Sequence, residues 1–143
     1  AHAALERRHP IDARRRGVNV EILVPGSRTD TPVVRHASRS KWRPLLKAGV
    51  KIYEYQPTMY HCKMMIIDDL WVSVGSANFD SRSFRLNDEA NMNIFATDFA
   101  LEQVRQFEED KKRSRAVSYG DWRNRPLGKK LMELLIAPFH PHL

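Results

Sequence analysis

One cysteine, Cys62, stands in 143 residues, so no intrachain disulfide can staple this chain. That thiol and the six histidines do not fall at zinc-site spacings, and no acidic triad or D-x-D cluster supplies a set of metal ligands. The expectation is a site without metal and without an organic cofactor. Long apolar runs are also missing, which leaves no candidate transmembrane span, and nothing has the order of a signal peptide. There is no internal repeat and no second H-x-K. An initiator Met is absent too: the chain opens on Ala1-His2-Ala3-Ala4-Leu5 and is expected to be a piece of something longer.

What is present is an ordinary apolar fraction, 42%, in a length suited to one domain with its own core. The charge is not so extreme as to suggest disorder. The formal charge is +7, unevenly placed. Residues 1–63 hold 13 Lys/Arg and 5 Asp/Glu, whereas the remainder holds 11 and 12. A surface made from the first part attracts phosphates, on lipid headgroups or on nucleic acid. For the run Arg14-Arg15-Arg16 alone, a solvated helix face explains the charge equally well.

The patterning alternates strands with helices. A helix is expected over about Ala3 to Arg16, either kinked at Pro10 or broken there into two pieces. Val18 to Val24 reads as a strand closed by Pro25-Gly26-Ser27. Helical spacing follows from Pro32 to Lys47, with Gly49 placed to end it, and then a strand from Val50 to Tyr55. Tyr60 to Asp68 and Leu70 to Val74 read as a hairpin turning at Asp69. Leu86 to Glu89 leads into a strand over Ala90 to Ala96. Asp98 is the expected N-cap of a helix over about Phe99 to Arg115, its apolar positions being Leu101, Val104 and Phe107. Leu127, Leu131, Leu134 and Leu135 stripe a last helix that Pro138 stops. This order implies an α/β fold, a mixed β-sheet flanked by helices, with a ligand site at strand ends and the loops beyond them.

Chemistry concentrates in one stretch: His61-Cys62-Lys63, Asp68, and Gly75-Ser76-Ala77-Asn78, spaced H-x-K-x4-D-x6-G-S-x-N. A lone histidine or lysine is usually structural, but on a strand His61 and Lys63 project to one face, while Cys62 turns the other way, into packing. Neutral imidazole can attack phosphorus, and its protonated form can give a proton to a leaving alkoxide, both near neutral pH. Lys63 offsets phosphodiester charge, and Ser76 and Asn78 add neutral hydrogen bonds. Gly75 permits close backbone approach at the turn. The second imidazole nitrogen needs an acceptor, for which Asp68, Asp80, Asp88 and Glu89 are all candidates; Asp68 also reads as a turn-former.

These residues resemble the phospholipase D superfamily and its His-Lys-Asp motif. The likeness extends from Val18 to about Leu135. Val24-Pro25-Gly26, Leu45 to Tyr55, and Gly75 to Phe84 followed by Leu86-Asn87-Asp88-Glu89 are similar to the second half of a bacterial cardiolipin synthase. The resemblance implies a phospholipase D-like half-domain over residues 1–143, with catalytic residues His61, Lys63, Asp68, Asn78 and Glu89. Lys63, Ser76 and Asn78 would hold phosphate. Glu89 occupies the place of the family carboxylate that orients an active-site histidine, and is preferred to Asp68 for that role. Two motif copies meet at one site in the family, so the implied partner is the other His-Lys-Asp half, from the parent chain or a second copy. In a second half, His61 is the acid/base partner rather than the phosphoryl carrier. Cys62 departs from the small residue, often alanine, that commonly stands between His and Lys. The first half and the membrane helices of full-length synthases are not in this sequence.

The function expected first is phosphatidyl transfer, forming cardiolipin from phosphatidylglycerol through a phosphohistidine, at a cell membrane reached peripherally or by parts outside this chain. Its partners are the phospholipid substrate and an anionic membrane surface. An alternative is a phosphodiesterase that cuts nucleic acid as a homodimer; the synthase-like stretches outside the motif make nucleic acid the weaker substrate. The third reading is a non-catalytic half that binds anionic membranes. The isolated monomer is expected to be inactive.

Overall fold

A computed structural model describes residues 2–28, 35, 38–77, 88–126 and 128. Within it the chain divides into two units, residues 7–60 with 114–143, and residues 1–6 with 61–113. The expected helix over residues 127–135 lies outside the described residues, apart from Gly128.

The first unit is built on the parallel pair β1 (Glu21–Pro25) and β2 (Lys51–Tyr55), in register from Glu21↔Lys51 to Pro25↔Tyr55. Parallel strands require a crossover, and the connection contains α2 (Trp42–Lys47). The described residues 38–40 are helical and are separated from α2 by a turn at Lys41, so the long helix read up to Lys47 is interrupted there. Pro44 sits in the first turn of α2, where its missing N–H is tolerated. Gly49, at φ +85°, follows the C-cap Ala48 as expected. β1 starts later than Val18 and takes in Pro25, which its edge position allows because no neighbour needs that N–H. Before it, α1 (His2–Arg15) runs unbroken through Pro10.

The other flank of β2 is a strand the sequence reading missed. β6 (Ser114–Val117) pairs antiparallel to β2, from Ile52↔Val117 to Tyr55↔Ser114. The helix expected to run to Arg115 stops at Lys112, since the residues after Arg113 gain ladder bonds to β2 that a helix would forgo. A short helix, α4 (Tyr119–Arg123), follows, opened by a capping box between Ser118 and Asp121. Trp42, Leu45, Val50, Ile52, Val117 and Trp122 form the buried core. The indole N–H of Trp122 donates to the Arg39 carbonyl at 2.8 Å, so the polar handle of this buried ring is satisfied.

The second unit is a meander of β3 (Met64–Ile67), β4 (Trp71–Gly75) and β5 (Asn91–Phe95). The β3–β4 turn is the hairpin expected there. Asp68 and Asp69 both have positive φ, 50° and 53°, the left-handed pair that primed hairpin turns demand. Registers run Met64↔Val74 to Ile67↔Trp71, and Trp71↔Phe95 to Gly75↔Asn91. Directly opposed residues share a face. Ile66, Val72 and Ile94 thus line one side, and Ile67, Trp71 and Phe95 the other.

α3 (Thr97–Lys112) packs on β3 and β4, and Val72 and Ala100 are both 0% exposed, so the helix covers the Val72 side. Its N-cap is Ala96 rather than Asp98, which falls inside the first turn, where a carboxylate still favours the helix dipole. Leu101, expected on the buried stripe, is exposed; Ala100 takes the inward position instead. Opposite the helix, Met65, Ile67 and Phe95 stay exposed, Phe95 by 74%.

Candidate active site

The H-x-K segment enters β3 instead of lying within it. His61, Cys62 and Lys63 precede the first ladder residue, Met64. The reason is the length of the partner: β4 ends at Gly75, whose N–H donates to the Lys63 carbonyl at 3.2 Å, and beyond it the chain turns away at Ser76. Residues 61 and 62 therefore have no strand beside them on β4. Cys62, expected in packing, is exposed for the same reason.

His61 is exposed and Lys63 half-buried. The Lys63 ammonium donates to the His61 carbonyl at 3.1 Å, which folds the lysine back along its own segment. One hydrogen bond leaves two of its three N–H donors for an anion. The cation is thus kept within a residue or two of the imidazole by a local contact.

Gly75-Ser76-Ala77 lies alongside. A Cβ on Gly75 would stand 2.1 Å from the Ala90 carbonyl oxygen, so only glycine fits. The close approach anticipated there is made by the chain's own segment before β5. The Ser76 N–H donates to the Ala90 carbonyl at 3.1 Å, and the Ser76 hydroxyl accepts the Ala90 N–H at 3.1 Å. That hydroxyl keeps its proton free to donate. Asn91, which drew no attention in the sequence, adds a third tie: its Oδ1 accepts the Ala77 N–H at 3.3 Å. Its only signal was position, an Asn opening a strand opposite a glycine. Asn78 and Asp80 lie outside the described residues.

Of the carboxylates proposed to orient the imidazole, Asp68 occupies a different place. It sits on the β3–β4 turn, exposed, with the whole of β3 between it and Lys63. Four residues at about 3.3 Å each make roughly 13 Å. Its positive φ gives it a turn-forming role, and this corrects the expectation that it acts on His61. Glu89 is half-buried and Asp88 exposed, in the segment that bonds back to Ser76 through Ala90. Among the described residues, no three His, Cys, Asp or Glu side chains gather in a way that could hold a metal ion.

A second charged cluster lies in the β1–β2–β6 unit. Glu54 on β2 is 0% exposed and is met by three guanidinium groups, those of Arg39, Arg115 and Arg35, the last at 2.7 Å. Burial pushes its carboxyl up, but the Arg115 hydrogen bond and the charges of Arg39 and Arg35 outweigh that and hold it below the ordinary value. Nothing in the local sequence announces this network, because its members stand at residues 35, 39, 54 and 115.

The chain is similar to three kinds of known protein. A family model described as "Cardiolipin synthase, PLD-like domain" matches residues 7–111. The chain is 44% identical over 127 residues to a cardiolipin synthase of Geobacillus sp. (strain WCH70), covering 89% of this chain and 25% of that protein. It is 41% identical over 125 residues to the minor cardiolipin synthase ClsB of Bacillus subtilis (strain 168), covering 87% and 31%. It therefore spans about a quarter to a third of these relatives. The fold is similar to that of a phospholipase D family member, Nuc, from Salmonella typhimurium, with TM-score 0.68 at 21% identity over 78% of this chain and 72% of that one. It is also similar to a phosphatidylserine synthase of Haemophilus influenzae Rd KW20, with TM-score 0.67 at 16% identity over 91% and 35%.

Proposed function

The chain belongs to the cardiolipin synthase, phospholipase D-like domain family, and from that premise we propose that it is one catalytic half of a phosphatidyltransferase. The observation that carries this reading is the pairing of His61 and Lys63 at the mouth of β3, with the Gly75-Ser76 turn bonded alongside. In the reaction proposed, one imidazole attacks the phosphorus of phosphatidylglycerol. A P–N bond forms as the P–O bond to glycerol breaks, and a second, protonated imidazole gives its proton to the departing alkoxide. That second imidazole, now neutral, takes the proton of a hydroxyl on another phosphatidylglycerol. The freed oxygen attacks the phosphohistidine, cardiolipin is released and the first imidazole is restored.

His61 is assigned the acid/base position, and the phosphoryl carrier belongs to the other half, in the parent chain or a second copy. Lys63, Ser76 and Asn78 hold the phosphoryl oxygens and offset their charge through the transition state. Glu89 is the carboxylate proposed to orient His61. One imidazole cannot both carry the phosphoryl group and protonate its leaving group, so the isolated monomer should turn over negligibly. The site of action is a cell membrane, and an anionic bilayer is the surface on which the substrate is met.

The test is incubation of the full-length parent with phosphatidylglycerol, followed by detection of cardiolipin and glycerol. If neither appears while other phosphodiesters are cleaved, the synthase assignment fails. A second reading, hydrolysis of nucleic acid by a homodimer, is favoured by the arginine-rich β1–β2–β6 unit. Salt-sensitive cleavage of single-stranded DNA that disappears in His61→Ala would reverse the order of the two.

A further inference from the structure

Charge separates by structural unit more sharply than along the sequence. Residues 7–60 with 114–143 hold 17 Lys/Arg and 6 Asp/Glu, a net +11, while residues 1–6 with 61–113 hold 7 and 11, a net −4. The acidic groups described in the positive unit are already engaged. Asp12 pairs with Arg15, Glu21 with Lys51, Glu54 with its three arginines, and the Asp121 carboxylate with Ser118. Asp121 keeps an exposed negative charge on α4, and the cations around it outnumber it.

Those cations gather where two short helices meet. α2 packs against α4, and the Lys47 ammonium lies 5.8 Å from the centre of the Tyr119 ring. Arg43 and Lys47 are four apart on α2, as are Tyr119 and Arg123 on α4, so each pair shares a helix face. Arg43, Lys47 and Arg123 are exposed, and none forms an ion pair among the described residues. At the end of α2 the Arg14 guanidinium stands 3.3 Å from where a Gly49 Cβ would project, which brings the Arg14-Arg15-Arg16 end of α1 to the same place.

We infer that this α2–α4 surface, with the end of α1, is a docking surface for an anionic phospholipid bilayer. The inference rests on the phospholipid reading above for its choice of polyanion. A second observation supports that choice: Trp122 is buried, its ring stacked with Tyr119 at 6.2 Å and covered by Arg125 at 3.9 Å. It offers no stacking platform to a nucleic-acid base. Cations around a half-exposed tyrosine suit a headgroup layer, where the ring occupies the interface and the charges meet phosphates.

Co-sedimentation of the 143-residue chain with phosphatidylcholine vesicles, with and without phosphatidylglycerol, tests the inference. Binding is expected only with phosphatidylglycerol and should weaken with salt. Each cation removed should weaken partition about fivefold, so Arg43→Gln/Lys47→Gln/Arg123→Gln together should lower it on the order of 100-fold. Arg105→Gln, an exposed cation of the acidic unit, should leave it unchanged. Circular dichroism of the triple variant establishes that its fold is kept. Should the variant unfold, the same comparison is made with Arg43→Gln alone, expected to lose about fivefold. Equal binding to zwitterionic vesicles, or equal loss from Arg105→Gln, overturns the proposal. So does single-stranded DNA that binds more tightly than phosphatidylglycerol vesicles and displaces them. Vesicle binding requires no turnover: His61→Ala should abolish transfer by the full-length parent yet leave partition intact, so failure of the catalytic reading is seen separately.

Discussion

The two units solve opposite problems. The β1–β2–β6 unit buries two tryptophans, a leucine and three β-branched residues in one cluster and locks a carboxylate inside a cage of arginines. The β3–β4–β5 unit buries Val72, Ala77 and Ala100, and leaves Met65, Ile67, Leu70, Met92 and Phe95 exposed. Yet the second carries His61 and Lys63. A reactive segment needs solvent and substrate access, and that conflicts with deep packing. On the proposed function, stability and chemistry fall in different stretches of one chain.

Substitutions should separate the two. The largest effect expected on the proposed function is that of His61→Ala in the protein assembled with its second half, where loss of proton transfer should lower turnover by about 10²–10⁴-fold. Because His61 is exposed, thermal unfolding should move little. A matching loss of melting temperature would mean that His61 supports the fold.

Glu54→Gln should do the reverse, costing about 3–5 kcal/mol of stability by leaving the buried Arg39 guanidinium, and its neighbours Arg35 and Arg115, without their carboxylate. Denaturant titration measures it; a loss below about 1 kcal/mol would show the cage to be dispensable. The pH dependence has a definite sign. The Glu54 carboxyl is held below its ordinary value, so its contribution is present above the unfolded-state value near 4.5 and is lost as pH falls through the depressed folded value. Wild type should weaken on acidification in that range, and Glu54→Gln should show a flatter profile.

A matched pair of glycines sharpens the contrast. A Cβ on Gly26 would meet the Tyr55 carbonyl at 2.0 Å, and one on Gly75 the Ala90 carbonyl at 2.1 Å. Each alanine substitution forces backbone apart and should cost roughly 1–3 kcal/mol. Gly26→Ala should be read mainly in unfolding, whereas Gly75→Ala should also lower turnover, because the Ser76 turn shifts. Equal activity losses from both would erase the distinction. The smallest effect is expected of Asp68→Gly, at φ 50°. Glycine accepts that conformation readily, so stability should change by less than about 1 kcal/mol and turnover should hold. A tenfold fall in turnover would return Asp68 to the catalytic set.

Local rules made much of this legible. Gly49 ends α2, the Asp68-Asp69 pair turns the hairpin, and β2, β4 and β5 fall within a residue of their expected places, because each depends on neighbours a few positions away. β6 was hidden by a helical pattern running through Arg113, and α4 by the absence of any long apolar stripe. Leu101 was misassigned because a helix face is chosen by what covers it. At the site, the H-x-K spacing and the obligate Gly75 were visible, whereas Asn91 was not.

By itself the sequence determined the type of layer, the family and the chemistry available at residues 61–76, since these follow from periodicity, turn preferences and the spacing of reactive side chains. Only the tertiary structure decided that Asp68 belongs to a turn, that Ser114 to Val117 form a strand, and that three distant arginines converge on Glu54. Those outcomes depend on which segments share a ladder or a low-dielectric interior. Such pairings join residues more than 60 positions apart, beyond the reach of any local pattern.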